Sequence, residues 1–243
     1  MRVDIVYPLA NQSKDKDDWE LRYSLRSLAA QDWVGNIYLV GYKPNWTIGV
    51  THVPMGDPCR AKDANIIRKI LAVCNMPGVS NNLVINSDDQ YVMRKIDLKD
   101  LGPWAEDPHN LKHLDVKRLA SRWWQRVVDT MDCCTRVKRP QWVFEAHIPY
   151  LIDVQAYKKH MTKLPWNIGN GLTTHIYFNM VGVQAPAQPP KGFVFRNGHQ
   201  EDTDALQKLA GCTFFNHNNT GLTYAIKDWM AQRFPAPSPW EVV

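Results

Sequence analysis

Leu83-Val84-Ile85 runs directly into Asn86-Ser87-Asp88-Asp89. Three successive apolar β-formers predict a strand covered on both faces, as in a parallel sheet with helices on either side. The segments before this junction fit such a sheet. Val3 to Tyr7 predicts a strand ending at Pro8, and Asp18 is placed to cap a helix from Trp19 to Gln31 with Leu21, Leu25 and Leu28 on one face. Asn36 to Val40 and Gly49 to Val53 predict two more strands. Asp57-Pro58 predicts a helix start, and Ile66, Ile67, Ile70, Leu71 and Cys74 then mark an apolar helical face. This alternation predicts an α/β fold with a doubly wound, mainly parallel sheet.

The second half is less regular. Leu111 to Met131 predicts a helix, Trp142 to Ala146 and Tyr177 to Val183 predict strands, and Ala185 to Lys191 predicts a Pro-rich loop. Thr203 to Leu209 and Thr223 to Arg233 predict helices, and Pro235, Pro237 and Pro239 predict an extended tail. A length of 243 residues suits one domain, here divided into a regular half (1–95) and a less regular half (96–243).

Composition excludes disorder and a disulfide mini-protein, with 44% apolar and 22% charged residues. The five cysteines include an adjacent pair and no CxxC, so a reducing compartment is expected. The N-terminus reads as a strand and not as a signal peptide, and no apolar run reaches the roughly 18–20 residues that span a bilayer. A soluble cytoplasmic protein is expected. The net charge of +5 is too mild to establish a nucleic-acid partner by itself. Ten Trp residues suggest stacking platforms or deep pockets.

Asp88 and Asp89 follow a buried strand, and ligands of open α/β sheets bind outside the carboxyl ends of strands. Paired carboxylates there suit Mg²⁺ or Mn²⁺; the competing reading is an exposed turn whose acids cap the chain from Gln90 onward. Arg60, Lys62 and Asn65 lie near the start of the preceding helix, where free N–H groups favour phosphate, and Pro8, at the end of the first strand, is a further candidate for binding the same ligand. A solvated basic face is the competing reading. No GxxxxGK[ST] and no GxGxxG occurs, which disfavours P-loop and dinucleotide sites.

Glu20-Leu21-Arg22-Tyr23-Ser24-Leu25-Arg26-Ser27-Leu28, Ile37-Tyr38-Leu39-Val40, Asn86-Ser87-Asp88-Asp89 and His147-Ile148-Pro149 resemble the Stealth family, which includes capsular-polysaccharide phosphotransferases and the lysosomal N-acetylglucosamine-1-phosphotransferase. The tail Phe234 to Glu241 resembles small phage-encoded relatives, which would place the protein in a host cytoplasm. The resemblance implies a GT-A-like nucleotide-sugar fold. The chain departs from the family after the first strand, where Pro8-Leu9-Ala10-Asn11-Gln12-Ser13 carries no acid. Glycosyl transfer is therefore preferred to sugar-phosphate transfer.

A general base is expected at Glu145 or His147, which would share a face if they lie on a strand. Glu201-Asp202 resembles the acid pair of many GT-A enzymes and is the rival base, with helix capping as its simpler reading. His175, His199 and His217 could contact a metal or phosphate, although a lone His is more often structural. Arg118, Arg122 and Arg126 form a stripe beside Trp123 and Trp124 that could bind an acceptor, with Asp115 and Asp129 spaced to form ion pairs on that stripe. The expected function is a metal-dependent transferase using a nucleotide sugar, most simply a UDP-sugar, with Mn²⁺ or Mg²⁺. The acceptor would be a glycan or a hydroxymethylated base in phage DNA. The reading from another class is a non-catalytic nucleic-acid-binding protein on a degenerate transferase scaffold.

Overall fold

The computed structural model describes residues 2–10, 17–104, 122–137, 142–144, 147–162, 171–183 and 193–242. In chain order, the first half contains β1 (Val3–Pro8), α1 (Trp19–Ala29), β2 (Val34–Val40), β3 (Thr51–Val53), α2 (Lys62–Cys74), β4 (Asn82–Ile85) and β5 (Gln90–Val92). The second contains α3 (Arg122–Arg136), β6 (Tyr150–Asp153), α4 (Val154–Met161), α5 (Thr173–Val181), β7 (Phe193–Arg196), α6 (Asp202–Leu209), β8 (Phe214–His217) and α7 (Tyr224–Arg233).

The main sheet has the order β3-β2-β1-β4-β6. Its first four strands are parallel and β6 runs antiparallel to β4 at the edge. Both faces are covered, which is why Ile5-Val6-Tyr7 of β1 and Leu83-Val84-Ile85 of β4 are apolar on both sides, while buried Asp4 is satisfied by Asn36 and by the Ser80 amide. Leu21, Leu25 and Leu28 of α1 pack with Ile5, Tyr7 and Leu39 in one core. Ile67, Ile70 and Val73 of α2 pack with Val6, Val40 and Ile85, with Tyr157 of α4 and with Tyr177 of α5 in another. The fold is therefore α/β with a mostly parallel central sheet.

A second, three-stranded sheet has the order β5-β8-β7, in which β8 is antiparallel to β5 and parallel to β7. With α6, α7 and Tyr23 of α1 it encloses a third core built around Tyr91, Phe215, Ile226 and Met230. Among the described residues no helix is long and apolar enough to cross a membrane.

Several expectations are corrected. Tyr177 to Val183 is not a strand, because α5 covers Thr173–Val181. Its β-favouring residues sit in a helix that is buried along most of its length, where packing overrides propensity. Trp142 to Phe144 forms no strand; Val143 makes only a single bridge. Asp57 does not start α2. The helix starts after Ala61, and Asp57 instead pairs at 2.5 Å with the buried ammonium of Lys69, which also donates to the Leu9 carbonyl. Asp18 makes no side-chain cap; its carboxylate accepts from Trp46 Nε1 at 3.0 Å and from the Tyr42 hydroxyl at 3.3 Å. Of the expected helix over residues 111–131, only the part from Arg122 lies within the described residues. The Ala185 to Lys191 loop lies outside them.

The C-terminal tail is docked and not loose. Glu241, 3% exposed, accepts from Arg22 Nη1 at 2.6 Å and from Arg26 Nε and Nη2 at 2.8 and 2.9 Å. The Ser238 amide adds a bond at 2.9 Å. Burial works against ionisation of Glu241, yet Arg26, the Ser238 amide and Arg22 outweigh it and push the carboxyl down to about 2. A depressed pKa contributes stability above the unfolded value of about 4.3, and that stability is lost as pH falls from there toward 2. Glu241→Gln is expected to destabilise the protein at pH 7 by about 3 kcal/mol. The gap to the parent should narrow at pH 3. Urea unfolding midpoints at both pH values check this, and a gap independent of pH would refute it.

Candidate active site

The parallel strands β1 and β4 end together, and the chain leaves both at their carboxyl ends. Polar positions of α1 hold the turn that leaves β4. Asn86, fully buried, donates Nδ2 to the Tyr7 hydroxyl at 2.8 Å. Tyr7 shares a 2.8 Å bond with Ser24 Oγ, and Ser24 donates to the Gln90 carbonyl at 2.7 Å. Ser27 Oγ accepts from the Val92 amide at 3.1 Å, and the Ser87 amide donates to Gln90 Oε1 at 3.1 Å. Serine on a buried helix face costs stability unless its hydroxyl is satisfied. Here Ser24 and Ser27 clamp the turn that carries Asp88 and Asp89.

That turn opens on a cavity of about 290 Å³. The expected candidates Pro8, Lys62, Asp88, Asp89, Arg126 and His147 all line it. Glu20, Asp63 and Thr173, which no sequence motif marks, also line it, as does Asp18, expected only as a helix cap. The walls are divided by charge, with Asp18, Glu20, Asp88 and Asp89 set against Lys62 and Arg126, the latter paired with Asp63.

His147 Nε2 lies 3.3 Å from Asp89 Oδ2. Burial works against ionisation of Asp89, but the hydrogen bond and charge of His147, with His217 and Lys62 beyond, hold its carboxyl below the usual range. His147 has φ 43°, the left-handed region, and its carbonyl accepts from Asn216 of β8. It is not on a strand, and Glu145, the other base candidate, lies outside the described residues. His217 bonds the Tyr91 hydroxyl through Nε2 at 2.9 Å and meets the Asn218 carbonyl through Nδ1 at 3.1 Å. Burial lowers its pKa against the pull of the Asn218 carbonyl and Asp89.

At the other end, Arg126 Nη2 donates to Asp63 Oδ2 at 2.5 Å. Burial raises the Asp63 carboxyl against the opposing charges of Arg126 and Lys62. Asp129 takes Gln125 Nε2 at 3.0 Å, so the expected Arg126–Asp129 pair gives way to the cavity contact. α2 and α5 both begin on the cavity wall, and neither has a side-chain cap. The Thr173 hydroxyl and Arg126 Nε are buried with no hydrogen-bond partner among the described residues.

Other candidates fall elsewhere. Asn65 is buried and bonds the Cys59 amide and carbonyl at 2.9 and 2.8 Å, bracing the loop before α2. Arg60 is exposed and off the cavity wall. Asp202 joins buried Arg196 to Thr223, and Glu201 lines a separate depression with His199 and Lys208. Neither acid meets the Asp89–His147 pair. His175 is fully buried, and burial with the Arg126 charge pushes its pKa down to about 3. Trp124 packs against Val127, Met131, Val143 and Leu172. Arg118 lies outside the described residues, and of Arg122 only the helical backbone is described.

Among the described residues no three His, Cys, Asp or Glu side chains form a metal cage. Asp88 and Asp89 share one turn on the cavity wall and offer hard carboxylate oxygens, a donor set that fits Mg²⁺ or Mn²⁺ and would hold such an ion through one or two carboxylates.

No protein-family model matches the chain, and no curated protein matches it by sequence. Solved structures do. The galactosyltransferase LgtC, solved with donor and acceptor sugar analogues, aligns at TM-score 0.52 and 10% identity over 96% of this chain and 97% of that one. Mouse xyloside xylosyltransferase 1 in its apo form aligns at TM-score 0.44 and 10% identity over 91% and 99%. The glycosyltransferase GlyE of Streptococcus pneumoniae TIGR4 aligns at 0.44 and 12% over 96% and 60%. The first likeness identifies the fold as GT-A-like.

Proposed function

We propose that this protein is a divalent-metal-dependent glycosyltransferase using a nucleotide sugar. The observation that carries the reading is the cavity at the carboxyl ends of β1 and β4, which gathers Asp88, Asp89, His147, Lys62 and Arg126. The GT-A-like fold and the sequence resemblance to the Stealth family support it.

Asp88 and Asp89 would hold Mg²⁺ or Mn²⁺, which supplies positive charge beside the leaving diphosphate. Lys62, Arg126 and the uncapped starts of α2 and α5 would take the phosphates, since free amides and helix dipoles favour anions. Asp89 is ionised and can only accept, so Nε2 of His147 carries the hydrogen between them. Nδ1 is then the atom that receives the acceptor's hydroxyl proton. The acceptor O–H bond breaks, its oxygen bonds the anomeric carbon, and the bond from that carbon to the phosphate oxygen breaks to release a nucleoside diphosphate. Residues 1–95 would supply most of the donor side, with Arg126, His147 and Thr173 reaching it from the second half.

Incubation with a panel of nucleotide sugars and Mn²⁺, followed by identification of the released nucleotide, tests this. Release of a nucleoside diphosphate is expected. A nucleoside monophosphate would instead indicate sugar-phosphate transfer, and no release from any donor would refute the enzyme.

A further inference from the structure

We propose that the turn His217 to Thr220 forms the acceptor subsite and that it takes a carbohydrate. This rests on the transferase reading above. A shallow groove of about 440 Å³ lies beside the main cavity, lined by Asp89, His147, His217, Asn218, Asn219 and Thr220. Asp89, His147 and Asn219 line the main cavity as well, so the two compartments meet at the acid–imidazole pair. A transfer reaction needs the acceptor hydroxyl held between the base and the donor's reacting carbon, and the groove reaches the acid–imidazole pair from beside the donor cavity.

The turn is held in place. The Asn218 amide donates to the Arg196 carbonyl at 3.0 Å, and the Gly221 amide donates to the Asn218 carbonyl at 2.9 Å. Thr220 Oγ1 donates to Asn218 Oδ1 at 3.2 Å. Gly198 packs directly on Thr220, and Gly221 packs on Arg196 at the end of β7, each with no room for a Cβ. His217 has both ring nitrogens engaged, by Tyr91 and by the Asn218 carbonyl, and so forms a wall. Asn219 is exposed and its side chain has no hydrogen-bond partner among the described residues.

The groove's chemistry selects the ligand class. Two amides and a hydroxyl both donate and accept, which matches the alternating hydroxyls of a sugar. Among the described residues the lining has no Lys or Arg to hold a phosphate backbone and no Trp, Tyr or Phe to stack a base. A polynucleotide acceptor would need both.

The test is an NMR titration of ¹⁵N-labelled protein with methyl glycosides of mannose, galactose and N-acetylglucosamine, and with an oligonucleotide bearing 5-hydroxymethylcytosine. Shifts of the Asn218 and Asn219 side-chain amides and of Gly221 with a glycoside are expected. Shifts there with the oligonucleotide alone, or glycoside shifts confined to other regions, would overturn the proposal. In the transfer assay, Asn219→Ala and Thr220→Val should each raise acceptor KM about tenfold, with donor KM moving less than about twofold. A rise in donor KM instead would return Asn219 to the donor cavity and sink the subsite. If the parent releases no nucleotide from any donor, the transferase reading fails. If it does, and these variants keep the parent acceptor KM, only the subsite fails.

Discussion

Alanine at Asp88 or at Asp89 is expected to cut nucleotide release from the donor by about 10²–10³-fold, the loss typical when one preorganised electrostatic contact to a leaving group is removed. The cavity wall carries five carboxylates against Lys62 and Arg126. A nucleoside diphosphate enters such a site only with a cation that offsets the acids. Asp89 is held ionised, and Asp88 shares its turn, fixed by the Ser24–Asn86–Tyr7 bonds. The same variants should weaken Mn²⁺ binding in the presence of UDP, read directly by electron paramagnetic resonance. Asp88→Asn and Asp89→Asn keep the side-chain volume and separate lost charge from lost packing. Near-parent turnover and Mn²⁺ binding in all four variants would remove the metal assignment.

The part of the fold legible in the sequence is the part whose evidence is local. Leu83-Val84-Ile85 announces a strand covered on both faces, and Ile66 to Cys74 announces an amphipathic helix, because each pattern repeats within a few residues. The second sheet gave no such signal. β5 and β8 are short, and each is defined by its partner; Gln90 faces Asn216 across a ladder that joins distant parts of the chain. α5 misleads because Ile176, Tyr177 and Phe178 are β-formers whose helical state is set by burial against β6 and α4.

The site divides in the same way. Asp88, Asp89 and Lys62 stand next to the elements that position them, so spacing found them. Asp63 could not be found, because its partner Arg126 is 63 residues away and belongs to a stripe that reads as acceptor-binding. Asp18 sits where a cap belongs, and only the approach of Trp46 and Tyr42 turns its carboxylate to the cavity wall. No sequence signal marks it; in the structure its φ of 49° does, a left-handed state of the kind that gathers at functional sites.

His147→Ala should lower turnover by about 10²–10⁴-fold, the usual contribution of a positioned general base, with donor KM within a few-fold of the parent. The imidazole meets Asp89 at 3.3 Å and stands where the cavity and the groove meet. In the proposed reaction it would take the acceptor's proton and not touch the nucleotide, so the loss belongs in kcat. The positive φ raises the concern that alanine perturbs the backbone. His147→Asn answers it, because Asn is among the residues that best tolerate the left-handed region, and it should be as inactive as the alanine variant. Glu201→Gln and Asp202→Asn supply the contrast. Asp202 is tied to buried Arg196, so its variant should unfold more easily yet turn over donor at a rate close to the parent's while folded. If either acid variant abolishes turnover while both His147 variants stay active, the base lies in the Glu-Asp pair, and the Asp89–His147 contact serves only to hold the turn against β8.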